Sequence, residues 1–169
     1  MKNNRMNYLK SGLIIVLSLL LSAATYAQSA NFSGSWAYNE SKSKLGEGGF
    51  RMISQKLTIT QNENSFSLEK SFTGQDGTER KSTETYTLDG KESVNPVFNT
   101  SKKSIATWSA DKKSLTVASE MTLEMNGDKM EIKTTEIYSL NDADKSLSLN
   151  THSTSSMGDR TATLVYDKK

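Results

Sequence analysis

Asparagine, aspartate and glycine recur along this chain at near-regular intervals, and that punctuation confines it to short segments joined by tight turns. The clusters are Asn62-Glu63-Asn64, Gln75-Asp76-Gly77, Asp89-Gly90, Ala110-Asp111-Lys112, Asn126-Gly127-Asp128, Asn141-Asp142 and Gly158-Asp159. Such residues adopt Asx-turn and left-handed conformations at little cost, so each cluster reads as a hairpin turn. Between them the apolar residues repeat every second position: Leu57 and Ile59; Phe66, Leu68 and Phe72; Tyr86 and Leu88; Leu115, Val117, Met121, Leu123 and Met125; Met130, Ile132, Tyr138 and Leu140; Leu147 and Leu149; Ala162, Leu164 and Tyr166. A period of two is that of a strand with one face turned to a core.

Strands through Trp36, Val94 to Phe98 and Ile105 to Trp108 bring the expected number to about ten. Successive strands joined by tight turns pair antiparallel, and a meander of that length relieves its open edges by closing on itself. The predicted fold is all-β: an antiparallel up-and-down (meander) β-barrel of about eight to ten strands, lipocalin-like, whose interior holds side chains alone or one small ligand. A weak repeat accompanies the meander: Glu84-Thr85-Tyr86-Thr87-Leu88 echoes Glu136-Ile137-Tyr138-Ser139-Leu140, and Lys56-Leu57-Thr58-Ile59 echoes Ser114-Leu115-Thr116-Val117.

Ahead of the strands, residues 1–27 read as a cleaved secretory signal peptide. Lys2, Arg5 and Lys10 form a positive start, Leu13 to Leu21 an apolar run, and Ala23-Ala24-Thr25-Tyr26-Ala27 a small-residue cleavage site. The mature barrel domain is expected over 28–169, in a periplasm or secreted, with no transmembrane anchor left after cleavage. Those three cations belong to the 21 Lys and Arg in the chain, so 18 basic residues face 19 acidic ones in the mature part. No basic stripe for nucleic acid or an anionic membrane remains, and Lys102-Lys103 and Lys112-Lys113 read as solvated turn ends. The chain has no cysteine, which excludes disulfide staples, thiolate metal sites and a lipid-bearing cysteine.

The opening Asn31-Phe32-Ser33-Gly34-Ser35-Trp36 resembles the first-strand signature of the calycin barrels, the lipocalins and fatty-acid-binding proteins. There, Gly-x-Trp sets an indole across the closed end, and the resemblance makes Trp36 such a plug. The closing Thr163-Leu164-Val165-Tyr166-Asp167-Lys168 resembles the last strand of the fatty-acid-binding proteins. With Lys42-Ser43-Lys44-Leu45-Gly46, the opening is also similar to that of small exported lipocalin-like bacterial proteins. Several features depart from these families. The residues from Asn39 to Phe50, with Gly46, Gly48 and Gly49, form a loop too short for a helical lid; the chain ends soon after Tyr166; and Arg160 is the sole candidate for the arginine that lipocalins pack over the indole. Leu164 stands where the fatty-acid-binding proteins carry a carboxylate-clamping arginine.

Candidate ligand-binding residues are Lys70, Glu84, Tyr86, Trp108, Glu136, Tyr138 and Tyr166. Lys70, Glu84 and Glu136 each fall on the apolar register of their strand; if they face inward they need a partner, a ligand or water, and if their strand ends reach the mouth they are solvated. His152 lies in a polar run and reads as surface. No nucleophile elbow, zinc motif, phosphate loop or cofactor fingerprint occurs, so no catalytic residue, metal site or cofactor is expected. Two readings remain: a barrel holding a small apolar or amphipathic molecule, or a filled barrel that engages another envelope protein.

Overall fold

The computed structural model describes residues 28–46, 53–74, 76–97, 99–125, 127–141, 143 and 145–169. Residues 1–27, expected to be a signal peptide, lie outside the described residues, as do Gln75, Phe98, Asn126 and Asp142 of the turns. The strands are β1 (Gly34–Tyr38), β2 (Lys44–Leu45), β3 (Lys56–Gln61), β4 (Ser65–Thr73), β5 (Glu79–Thr87), β6 (Glu92–Val97), β7 (Thr100–Trp108), β8 (Ser114–Met125), β9 (Asp128–Asn141), β10 (Ser146–Ser155) and β11 (Arg160–Lys168). They form one antiparallel sheet in the order β5-β4-β3-β1-β11-β10-β9-β8-β7-β6, with β2 paired to β11 beside this path. With β2 set aside, each neighbour is the next strand in the chain except at β1–β11, where the first and last barrel strands meet. The ten-strand up-and-down barrel is therefore nearly closed, its seam lying between β5 and β6.

One end is plugged by aromatic side chains. Trp36 is fully buried and its indole N–H donates to the Phe32 carbonyl at 2.9 Å. Phe32, equally buried, stacks on Trp108 with ring centres 5.9 Å apart and meets Phe66 and Tyr138 at 6.1 and 6.4 Å. Gln61 holds this segment across the barrel end, accepting from Phe32 N at 3.0 Å and donating to the Ala30 carbonyl at 2.9 Å. Gly34 has φ +141, a conformation that a side chain resists, which gives the Gly-x-Trp element its physical reason. The cation over the indole is Lys168, 5.3 Å from the ring centre, and not Arg160. Arg160 pairs with Ser153 at the other end of β11, and the lysine that closes the strand takes the place expected of an arginine.

After β1 a single 3-10 turn, Glu40–Lys42, leads to β2, which pairs with β11 through Ala162↔Leu45 and Thr163↔Lys44. A Cβ on Gly46 would sit 2.6 Å from the Thr161 carbonyl oxygen, so only glycine permits this approach. No helical lid occurs among the described residues. Nor, among them, is any helix long and apolar enough to cross a membrane. The strand expected over Ile105 to Trp108 begins earlier, at Thr100, and Ile105 is exposed on its outer face.

Candidate functional site

Across β6 to β11 the inward side chains form rows fixed by the ladder register. Nearest the plug run Trp108, Leu115, Tyr138, Leu149 and Leu164; the next row is Ala106, Val117, Glu136, Thr151 and Ala162. The third is Ser93, Ser104, Ser119, Thr134 and Ser153, a belt of hydroxyls each directly opposite the next. Ser104 donates to Ser119 and Thr134 to Ser153, both at 3.1 Å. Within three rows the wall passes from large apolar groups to small polar ones. On β5 the same register runs from buried Tyr86 through Glu84 to Ser82 and Arg80, both exposed, so the barrel opens on that side.

Between these zones lies an ionic cluster. Glu84, Glu136 and Lys102 are each at least nine-tenths buried, and Lys70 lies among them. The Lys70 ammonium is 3.3 Å from Glu136 Oε1 and 3.7 Å from Glu84 Oε2. Lys102 and the Tyr86 hydroxyl both donate to Glu84 Oε2, and Tyr138 donates to Glu136 Oε2 at 3.3 Å. Two ammoniums and two carboxylates leave no net charge in the cluster. Burial alone pushes the Glu84 carboxyl up, but Lys70 and Lys102, with hydrogen bonds from Lys102 and Tyr86, outweigh it and bring it down to about 2. Burial likewise opposes the Lys70 charge, yet Glu136 and Glu84 raise it above its ordinary value. Burial and the carboxylates push the Tyr86 and Tyr138 phenols well up, so both remain hydroxyl donors.

The seam beside this cluster is stitched by side chains. Asn95 accepts from Thr85 N at 2.8 Å and donates to the Thr85 carbonyl at 3.0 Å, supplying both bonds of a missing ladder partner. Ser93 accepts from Thr87 N at 2.9 Å. Asn95 is itself the ladder partner of Lys102, whose ammonium crosses to Glu84 on β5, so the ion pair spans the seam from inside.

No protein-family model matches the chain. No curated protein matches it in sequence. Among solved structures, the crystal structure of zebrafish ileal bile acid-binding protein complexed with cholic acid superposes with a TM-score of 0.53 at 15% identity, covering 82% of this chain and 98% of that one. The fold is a calycin-type barrel.

Within this calycin-type barrel, five of the candidate residues come together: Lys70, Glu84, Tyr86, Glu136 and Tyr138. The strand ends do not carry Lys70, Glu84 or Glu136 out to solvent. Trp108 is not part of the group; it packs on Phe32 at the plug. Tyr166 is buried with its ring against Tyr38 at 5.7 Å, on the apolar side of the cluster. Leu164 is buried in the apolar row. Lys102, read from sequence as a solvated turn end, points inward, whereas Lys103 is exposed. The signal that could have found it is parity: Trp108, Ala106, Ser104 and Lys102 share one face of β7. His152 is exposed, on the outer face of β10, where it borders a concavity of about 430 Å³ lined by Lys103, Ile105 and Ala118 and also by three residues of the belt, Ser104, Ser119 and Thr134. None of the candidate ligand-binding residues lines that outer concavity.

Proposed function

We propose that this chain is an exported calycin-type barrel that binds one small amphipathic molecule in its open half, the polar end of the ligand against the ionic cluster and its apolar part toward the mouth. The reading rests above all on the wall itself: small hydroxyls replace large rings on the open side of a buried charged cluster, and β5 exposes the way to it at Ser82 and Arg80. Small wall residues leave volume that Phe, Trp and Leu occupy at the plug. Half-buried Met121, Leu123, Met130 and Ile132 continue the inward register of β8 and β9 beyond the belt and suit an apolar tail. A barrel of this fold has been crystallised with cholic acid, itself an amphipathic molecule.

Native mass spectrometry of the protein purified from its source is the test. A retained small molecule of defined mass supports the reading, and its loss on Ser153→Trp, which fills the belt at a position outside the lining of the outer concavity, places it inside; a protein that returns only its own mass and binds no amphiphile in titration contradicts it. Export belongs to the same proposal. Removal of residues 1–27 gives an intact mass that starts at Gln28, and a product retaining Met1 refutes it.

A further inference from the structure

We infer that the cluster makes the barrel selective for a neutral amphiphile, with a hydroxyl or amide head, and that Glu136 and Glu84 exclude a ligand carboxylate by occupying the place of its charge. The inference rests on the ligand-binding reading above and deepens it. A carboxylate is held inside a barrel by a cation whose charge is otherwise unmet. Among the described residues, both interior cations are already met by the chain's own carboxylates: Lys70 by Glu136 at 3.3 Å and Glu84 at 3.7 Å, Lys102 by Glu84. An incoming anion would face two buried negative charges with no cation to spare, and like charges at this depth are unfavourable. The last strand adds no cation for an anion, because its inward positions beside the cluster are Ala162, Leu164 and Tyr166. A cationic head meets the same balance with the sign reversed. A neutral head suffers neither repulsion, and it finds donors and acceptors together: the ammonium of Lys70, the carboxylate edges, and the hydroxyls of Ser104, Ser119 and Thr134. Glu136 therefore acts as a built-in counterion that sets ligand charge.

The test is calorimetric titration at pH 7.5 with decanol, decanoate and decylamine, using the wild type, Glu136→Gln and Lys70→Met. The wild type is expected to bind decanol at least tenfold more tightly than either charged analogue. Glu136→Gln frees one positive charge and shifts preference toward decanoate by at least tenfold; Lys70→Met frees one negative charge and shifts it toward decylamine. The two variants move in opposite directions, so if one fails to fold the other still decides. Wild-type protein that binds decanoate as tightly as decanol, or variants whose charge preference does not move, overturns the inference while leaving a ligand-binding barrel in place. Absence of binding for all three amphiphiles in the wild type and both variants overturns the ligand-binding reading and this inference together.

Discussion

The plugged and open halves of this barrel are built by the same strands and the same alternation, yet they answer to different demands. Below the cluster, Phe32, Trp36, Phe66, Leu115, Leu147 and Tyr166 are buried to within about 1% and fill the interior ring against ring. Above it the inward positions are Ser104, Ser119, Thr134 and Ser153, which fill little and bond to one another. The Glu-x-Tyr pairs of β5 and β9 mark the boundary. In each, the tyrosine two residues on bonds back to its own glutamate, so one motif turns an apolar ring toward the plug and a carboxylate toward the opening. The difference teaches that stability is concentrated in one half, which leaves the other half free to carry polar groups that a packed core would reject.

If that division holds, the largest loss should come from the plug. Trp36→Ala removes a fully buried indole, its bond to Phe32 and the Lys168 contact, and should lower unfolding free energy by about 3–5 kcal/mol in chemical denaturation. A loss below about 1 kcal/mol would break the comparison. Next comes the cluster: Lys102→Met leaves Glu84 with Lys70 as its one remaining cation and should cost about 3 kcal/mol, part of it recovered in Lys102→Met/Glu84→Gln, because the penalty is an unpaired buried charge. Equal losses in the single and double variants would mean that the lysine acts by packing.

Acid should expose the same pairing. The Glu84 carboxyl titrates near 2 when folded, below its ordinary value of about 4.5, so its contribution is complete above pH 4.5 and is lost as pH falls toward 2. Over that window the wild type should lose roughly 2–3 kcal/mol more than Glu84→Gln, read from denaturation curves at each pH. Parallel curves would contradict the assignment. The smallest effect belongs to the seam. Asn95→Ala leaves the Thr85 N–H and carbonyl without their partner and should cost about 1–2 kcal/mol, with faster amide exchange at Thr85 than at Thr87, which Ser93 holds. Protection unchanged at the Thr85 amide would show that the seam is closed there by something else.

Much of this architecture was legible in the sequence because period-two alternation and Asx turns are local signals. The expected turns at Asn62–Asn64, Asp89-Gly90, Ala110–Lys112 and Gly158-Asp159 all join the strands they were expected to join. The same parity singled out Lys70, Glu84 and Glu136 but left open whether their strands turned them inward or carried them to solvent. What escaped was long-range. Lys102 meets Glu84 across 18 positions of chain and a strand that lies between them, and its neighbour Lys103 made the pair look like a solvated turn. Burial by itself raises a carboxyl, and the two ammoniums that reverse this for Glu84 reach it only once β4, β5 and β7 are brought together. Phe32 precedes the first strand, so no periodicity marked it, although it is the centre of the plug. The arginine expected over Trp36 was a search for one residue type where the geometry asks only for a cation, and Lys168 serves.

The most direct measurement is NMR mapping of the barrel titrated with decanol. Chemical-shift changes are expected to concentrate at Lys70, Glu84, Lys102, Glu136 and Ser153, none of which lines the outer concavity, with the plug residues Phe32 and Trp36 little moved. Changes confined instead to Ile105, Ala118 and His152, around the outer concavity, would place the ligand outside the barrel and contradict an interior site.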